Sequence, residues 1–271
     1  MRLSKTDGSP GAALDARRAP LISRLSFRRP PSWGRTFGGS RDWSSQGSGS
    51  PGAVTIMAGR SVREEKVEAT REAILGAAER LFAEHGVYAV SNAQISEAAG
   101  QGNTGAVNYH FGNKANVVRA IARRHAEQME EIRARMVGET ADSTDLRDWV
   151  ACMVLPLTEH LEALGNPTWY ARFNAQLIAD PALHKVSAEE SRSSPSLGRL
   201  LDGLNACLPA LPADVHANRG IMARHLIVQM CVDRERALSN GTPVSWPTWH
   251  DTATGLIDAI IGMWTAPVTT P

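Results

Sequence analysis

The sequence predicts an all-α protein. Three observations lead there. From Glu64 onward, apolar residues recur at helical spacing in one segment after another. Clusters of Pro and Gly ("GNP", "DP", "LPALP", "NGTPVSWP") fall between those segments. No alternating strand pattern and no repeat of 20–50 residues interrupts them.

Residues 1–60 read as a disordered extension. The stretches "RRPPSWGRTFGGS" and "SSQGSGSPG" hold too little apolar surface to offset chain entropy. Three origins compete. The first is an Arg-rich transit peptide. The second is a basic arm adding nonspecific phosphate affinity. The third, which we favour, is upstream sequence included by a misplaced start codon, with Met57 the true start. The Arg-Arg pairs at 17–18 and 28–29 have no apolar region after them, which argues against a twin-arginine signal.

Charge is unevenly placed. Residues 1–56 carry nine basic and three acidic side chains, 57–137 eleven and ten, and 138–271 nine and fifteen. A basic front and an acidic rear suggest an anionic partner at the front only. Arg outnumbers Lys 25 to 4, a bias of GC-rich genomes rather than of function. Cys152, Cys207 and Cys231 form no CxxC pair and match no zinc spacing, so they read as reduced thiols. No run of 18 apolar residues suggests a membrane span.

The first helix, "ATREAILGAAERLFAEHG", sets Ile74, Ala77, Ala78, Leu81 and Phe82 on one face and stops at Gly86. Ser91 with Gln94 makes a capping box for a second helix, which ends at Gly100. Gly102 and Asn103 fill a corner, and Asn103 or Thr104 can cap a third, very short helix that runs to about Tyr109. A long helix opens near Asn113, with Val117, Val118, Ile121, His125, Met129, Ile132 and Met136 on one stripe. Further helices are expected over 145–164 with a break at Pro156, and then over 167–179, 196–207, 214–238 and 248–264.

Two short helices joined by a Gly-bearing corner match a helix-turn-helix in length and punctuation. The second helix of such a unit enters the major groove of DNA. Asn reads adenine bidentately, and hydroxyl and amide groups serve bases or phosphates. The competing reading is a helical corner in an ordinary bundle, with Tyr109 and Phe111 simply packing.

"TREAILGAAERLFAEHG", "SNAQISEAAG" and "YHFGNKANVVRAI", in unbroken order over about residues 68–122, resemble the N-terminal domain of the tetracycline-repressor (TetR) family. The resemblance implies a DNA-binding head at 61–122, a ligand-binding and dimerisation domain at 123–265, and a disordered tail at 266–271. It implies phosphate contacts by Tyr109, His110 and Lys114, and base-facing positions at Thr104, Gly105 and Asn108. Ser91 and Asn92 at the start of the preceding helix, and Gln101 and Asn103 at the corner, are further candidate contacts. The expected function is a sequence-specific transcriptional regulator, a homodimeric repressor released from its operator by a small-molecule effector. The expected partners are double-stranded DNA bearing a near-palindromic operator, a second copy of the chain, and that effector. No membrane partner is expected, and the expected place is the bacterial cytoplasm, at the nucleoid. The long helix that leaves the head is the natural lever between the two domains.

In the rear domain, large apolar surface mixed with a few polar groups suits a small-molecule pocket. Trp149, Cys152, Met153, Trp169, Phe173 and Gln176 are the candidates, with core packing as the competing reading for each. Arg172 and Asn174 are read as solvent-facing, and 233–236 as a solvated helix end. Ile221, Leu226, Ile227, Met230, Leu256, Ile257, Ile260, Ile261 and Trp264 offer the broad apolar surface of the last two long helices. By resemblance, a dimer pairs these helices into a four-helix bundle.

Catalysis has little support. No GxSxG, HExxH or P-loop motif occurs, and the histidines of the rear domain are scattered. Neither an enzyme, a cofactor nor a metal site is expected. The runner-up is an interaction module, a helical dimer whose partner is a protein. A large cavity in the rear domain favours the regulator; a filled domain with an exposed apolar groove favours the module.

Overall fold

The computed structural model describes residues 51–192 and 194–269, with side chains over 62–186, 188–189 and 194–269. Residues 1–50 of the expected extension lie outside the described residues. Among those described there are ten helices and no strand. They are α1 (Pro51–His85), α2 (Asn92–Ala98), α3 (Ala106–Phe111), α4 (Lys114–Thr140), α5 (Leu146–Leu164), α6 (Tyr170–Ala179), α7 (Pro181–Arg192), α8 (Pro195–Cys207), α9 (Ala213–Asn240) and α10 (Trp249–Thr265).

Helix α1 starts ten residues before the expected edge of the extension, because no Pro or Gly pair separates 53–60 from the helical run that follows. It stops where Gly86 takes a φ of 92°, and the Gly86 N–H closes back on the Phe82 carbonyl at 2.9 Å. The head is α1 to α3 with the first turns of α4. Ile74, Ala78, Phe82, Val90, Ile95, Val107, Phe111, Val117, Val118 and Ile121 meet in its core.

Helix α4 is unbroken from the head into the rear domain, so the expected boundary at 122–123 falls inside a single helix. Behind it, α5 packs between α4 and α10 and also meets α8; α6 touches α1, α7 and α9. The centre is built on Val150, Val154, Leu161, Phe173, Leu200, Leu204, Leu256, Ile257, Ile260 and Trp264.

Three sequence expectations change here. Pro156 does not break α5; the helix continues through it, buried between the neighbours that cover it. "DP" is a helix start rather than a gap. Asp180 Oδ1 accepts from the Ala182 and Leu183 N–H groups at 2.7 and 3.1 Å, which opens α7, a helix the periodicity missed. Ser194 caps α8 in the same manner, with Pro195 in its first turn. The tail is not free at its beginning: the Arg219 guanidinium donates to the carbonyls of Trp264 at 2.8 Å and Ala266 at 2.9 Å. No helix among the described residues is long and apolar enough to cross a membrane.

Candidate functional site

The turn between α2 and α3 is held from beneath. Ser91 and Gln94 close the capping box: the Gln94 N–H donates to Ser91 Oγ at 3.2 Å and the Ser91 N–H to Gln94 Oε1 at 2.8 Å. Ser96, wholly buried, donates to the Thr104 carbonyl at 3.2 Å and accepts from the Val107 N–H at 3.4 Å, so one hydroxyl ties α2 to the corner and to α3. The Gln101 N–H bonds the Ser96 carbonyl at 2.9 Å, and its side chain donates to Ala99 O at 3.1 Å.

Gly105 is the N-cap of α3 and supplies no side-chain cap; Asn103 instead accepts from the Gly105 N–H at 2.8 Å, shaping the turn that precedes the helix. Gly100, Gly102 and Gly105 fall at the spacing of a dinucleotide-binding glycine loop. They join two helices here and follow no strand, so the spacing belongs to the corner.

Helix α3 is anchored by Ala106, Val107 and Phe111, which face inward. Its outer side presents Asn108 and Tyr109, and Tyr109 is 80% exposed. A large aromatic left this open lowers no local energy by burial. Tyr109 meets His110 edge-on at 4.9 Å. The Asn108 amide oxygen accepts from Asn92 Nδ2 at 2.8 Å, which places α2 and α3 polar groups on one surface. Ser91, Asn103 and Thr104 are exposed, and Asn92, Gln101, Gly105 and His110 half-buried, around the same edge.

Lys114 stands apart from this group. Its ammonium donates to the carbonyls of Val90 at 2.8 Å, Val87 at 3.0 Å and Tyr88 at 3.5 Å. All three donors point into the α1–α2 connection, so the side chain fastens that loop instead of standing free for a phosphate. Sequence reasoning also missed Arg71, which donates to the His110 carbonyl at 2.8 Å and lies 4.4 Å over the Phe111 ring, fixing the far end of α3.

A cavity of about 1090 Å³ lies in the rear domain, lined from α4, α5, α6, α7, α8 and α9. Of the six expected pocket residues, only Met153 lines it. Trp149 is wedged over Gly203, where an added Cβ would sit 2.3 Å from its ring, and its Nε1 donates to Ser143 O at 3.0 Å. Cys152 lies 3.5 Å from the Thr140 hydroxyl, and burial pushes its thiol up. Trp169 is the N-cap position of α6. Phe173 stacks on Phe82 of α1 at 6.1 Å. Gln176 donates to Phe82 O at 2.6 Å and accepts from the Val87 N–H at 3.0 Å, so it clasps the end of α1. Asn174, read as solvent-facing, is on the cavity. Arg172 and Glu235 form a buried pair at 2.9 Å; Glu235 also accepts from the Ala171 and Arg172 N–H groups, capping α6 from α9. Arg234 is buried too, over Trp249 at 4.9 Å, so of 233–236 only Asp233 and Arg236 are solvated.

A second polar group lies between cavity and head. Glu79 of α1 accepts from Arg124 at 2.6 Å, and its carboxylate is 3.0 Å from His125 Nε2. His125 Nδ1 is 2.7 Å from His160 Nε2 of α5. Tyr170, which lines the cavity, stacks face to face on His125 at 3.8 Å. Burial, first, and the neighbouring His125 bring His160 down to about 4. Burial, then Glu79, pushes the Tyr170 hydroxyl upward, so it keeps its proton.

Among the expected dimer residues, Ile227, Leu256, Ile257, Ile260 and Trp264 are buried within this chain, since α10 is packed on α5. Ile221 is 45% exposed; Leu226, Met230 and Ile261 are half-buried.

Residues 74–121 match the family model of bacterial regulatory proteins, tetR family. This part of the chain carries the DNA-binding domain of the tetR family. Its head is similar to the HTH-type transcriptional repressor AcnR of Corynebacterium glutamicum, 40% identical over 68 residues; that match covers 25% of this chain and only 36% of that repressor. The AcnR repressor of Corynebacterium diphtheriae is 29% identical over 147 residues, covering 52% of this chain and 73% of it. A TetR family transcription regulator from Marinobacter aquaeolei has the same fold with a TM-score of 0.51 at 15% identity, over 73% of this chain and 97% of that one. The strongest likeness therefore falls on the family's helix-turn-helix, the element that Ser96, Arg71 and Lys114 hold in place.

Proposed function

We propose that the chain is a sequence-specific DNA-binding transcriptional repressor that acts as a homodimer and leaves its operator when a small molecule occupies the rear cavity. One observation carries the reading: α3 is pinned by Phe111, Val107 and the Arg71 bond, while Asn108 and Tyr109 stand outward without cover. Such a helix can be received by a major groove without unfolding anything. Asn108 and Thr104 then face base edges, and Tyr109, His110, Ser91 and Asn92 flank them toward the phosphates. The match of residues 74–121 to the tetR family model and the likeness of the head to AcnR repressors support the same reading.

Two copies are brought together by the outer face of α9, where Ile221 and Met222 are 45% and 54% exposed. The buried side of α10 takes no part. A dimer of this kind asks for a near-palindromic operator. The cavity favours a small-molecule effector over a protein partner, because a filled rear domain would leave no such space.

Selection of bound fragments from random DNA by the purified chain tests the proposal. Recovery of a two-fold symmetric site supports it. Recovery of fragments without a shared sequence rules out sequence-specific binding.

A further inference from the structure

We propose that the cavity takes an uncharged molecule with an apolar body and one or two hydroxyl or carbonyl groups, selected by Tyr170, Asn174 and His184. The proposal rests on the effector-responsive reading above and names the chemical class of that effector.

Charge is the first reason. Four arginines and four glutamates line the cavity, so their formal charges cancel. Some of them are already committed: Glu130 bonds Ser196 at 2.7 Å and pairs with Arg133 at 3.0 Å. A charged ligand would lose its hydration there and meet no net field of opposite sign.

Apolar lining is the second. Met129, Met153, Leu157, Leu177 and Ile227 supply aliphatic and thioether surface, which suits a hydrocarbon or aromatic body.

Unmet polar groups are the third. His184 Nδ1 is buried without a hydrogen-bond partner among the described residues. Neither the Asn174 amide nor the Tyr170 hydroxyl has a hydrogen-bond partner among those residues. Tyr170 and Asn174 stand four residues apart on α6 and so share a face, and α7, which carries His184, packs against α6. Each of the three side chains has hydrogen-bonding capacity suited to a hydroxyl or a carbonyl. Of these, the His184 Nδ1 is buried, which is unfavourable without a partner, and a ligand hydroxyl removes that cost. Tyr170 adds a consequence. Its ring lies on His125, which meets Glu79 of α1, so a ligand bonded to its hydroxyl bears on the same cluster that holds the head helix.

Naphthol, naphthalene, naphthoate and naphthylmethylammonium carry the same bicycle with a hydroxyl, no polar group, an anion and a cation. Calorimetric titration of each into the full chain near neutral pH is the test. Naphthol is expected to bind about tenfold more tightly than naphthalene, the effect of one satisfied hydrogen bond, and more tightly than either ion. Asn174→Leu and Tyr170→Phe, each checked for an unchanged helical spectrum, are expected to shrink that advantage and leave the naphthalene affinity alone. Tighter binding of either ion overturns the proposal, as does a naphthol advantage untouched in both variants or a failure of all four to bind. The operator selection above is independent of these ligands, so DNA recognition stands or falls separately.

Discussion

His125 Nδ1 lies 2.7 Å from His160 Nε2, so one ring must donate to the other. With Glu79 accepting from His125 Nε2–H, His125 Nδ1 accepts from His160 Nε2–H. A second proton on His160 is opposed by burial and by the neighbouring His125 rather than by loss of a bond. Two imidazolium rings facing N–H to N–H would repel.

The sign of the pH effect follows. The folded-state value of His160, about 4, lies below its ordinary 6.5, so the unfolded chain binds that proton first. The contribution is complete above pH 6.5 and is lost as the pH falls toward 4, by about 3 kcal/mol at the acid limit. Denaturant melts at a series of pH values check this. His160→Gln, which cannot take up a proton, should flatten the slope between those limits; an unchanged slope would remove the assignment.

Lys114 and Tyr109 should separate stability from DNA affinity. Lys114→Met leaves three loop carbonyls without their donor and should lower unfolding stability by about 1–3 kcal/mol. It should not change the salt slope of DNA binding. Tyr109→Ala touches an open side chain and should leave the melting temperature within a degree or two, about what a surface substitution does, while weakening binding to every DNA sequence. Paired melts and binding isotherms over a salt series distinguish the two.

Gln176 joins the rear domain to the head through one amide. Gln176→Leu removes the donor to Phe82 O and the acceptor for Val87 N–H, and should cost about 1–3 kcal/mol. Hydrogen exchange should rise at the Val87 amide while α10 stays protected. Equal protection at Val87 in both proteins would contradict the clasp.

Gly203→Ala tests the packing of α8 on α5. A methyl there would stand 2.3 Å from the Trp149 ring, so the ring must move and break its bond to Ser143. A loss of about 1–3 kcal/mol with a changed tryptophan emission is expected.

The two apolar sides of the last helices should respond differently. Ile221→Lys places charge on an exposed position of α9 and should shift sedimentation toward a monomer without unfolding the chain. Ile257→Lys buries a charge in the rear core and should unfold it.

Much of the head was legible in the residues. The Ser91–Gln94 capping box, the stop at Gly86 and the inward face of α1 are local, and local chemistry decides them. The Asn103 reading was half right in kind: the side chain orders the corner through Gly105 and does not cap α3 itself. Lys114 shows the limit. A lysine at a helix start beside a reading head looks available to phosphate, and its binding to carbonyls about 25 residues earlier depends on how α1 and α4 meet.

Helical periodicity determines by itself which face of most of these helices is apolar, and a cap such as Ser91 marks where its helix begins, because caps and spacing act within a few residues. It overlooked α7 and the first turns of α1. It does not say which neighbour covers that face. Asn174 and Gln176 lie two positions apart on α6, about 200° around the axis, and only the packed structure turns one to the cavity and the other to α1. Likewise α10 carries an apolar stripe that suits a dimer or a core equally, and contact with α5 decided for the core. Burial is a property of pairs of helices far apart in the chain, and that is why the sequence marks the helices while the tertiary fold assigns their partners.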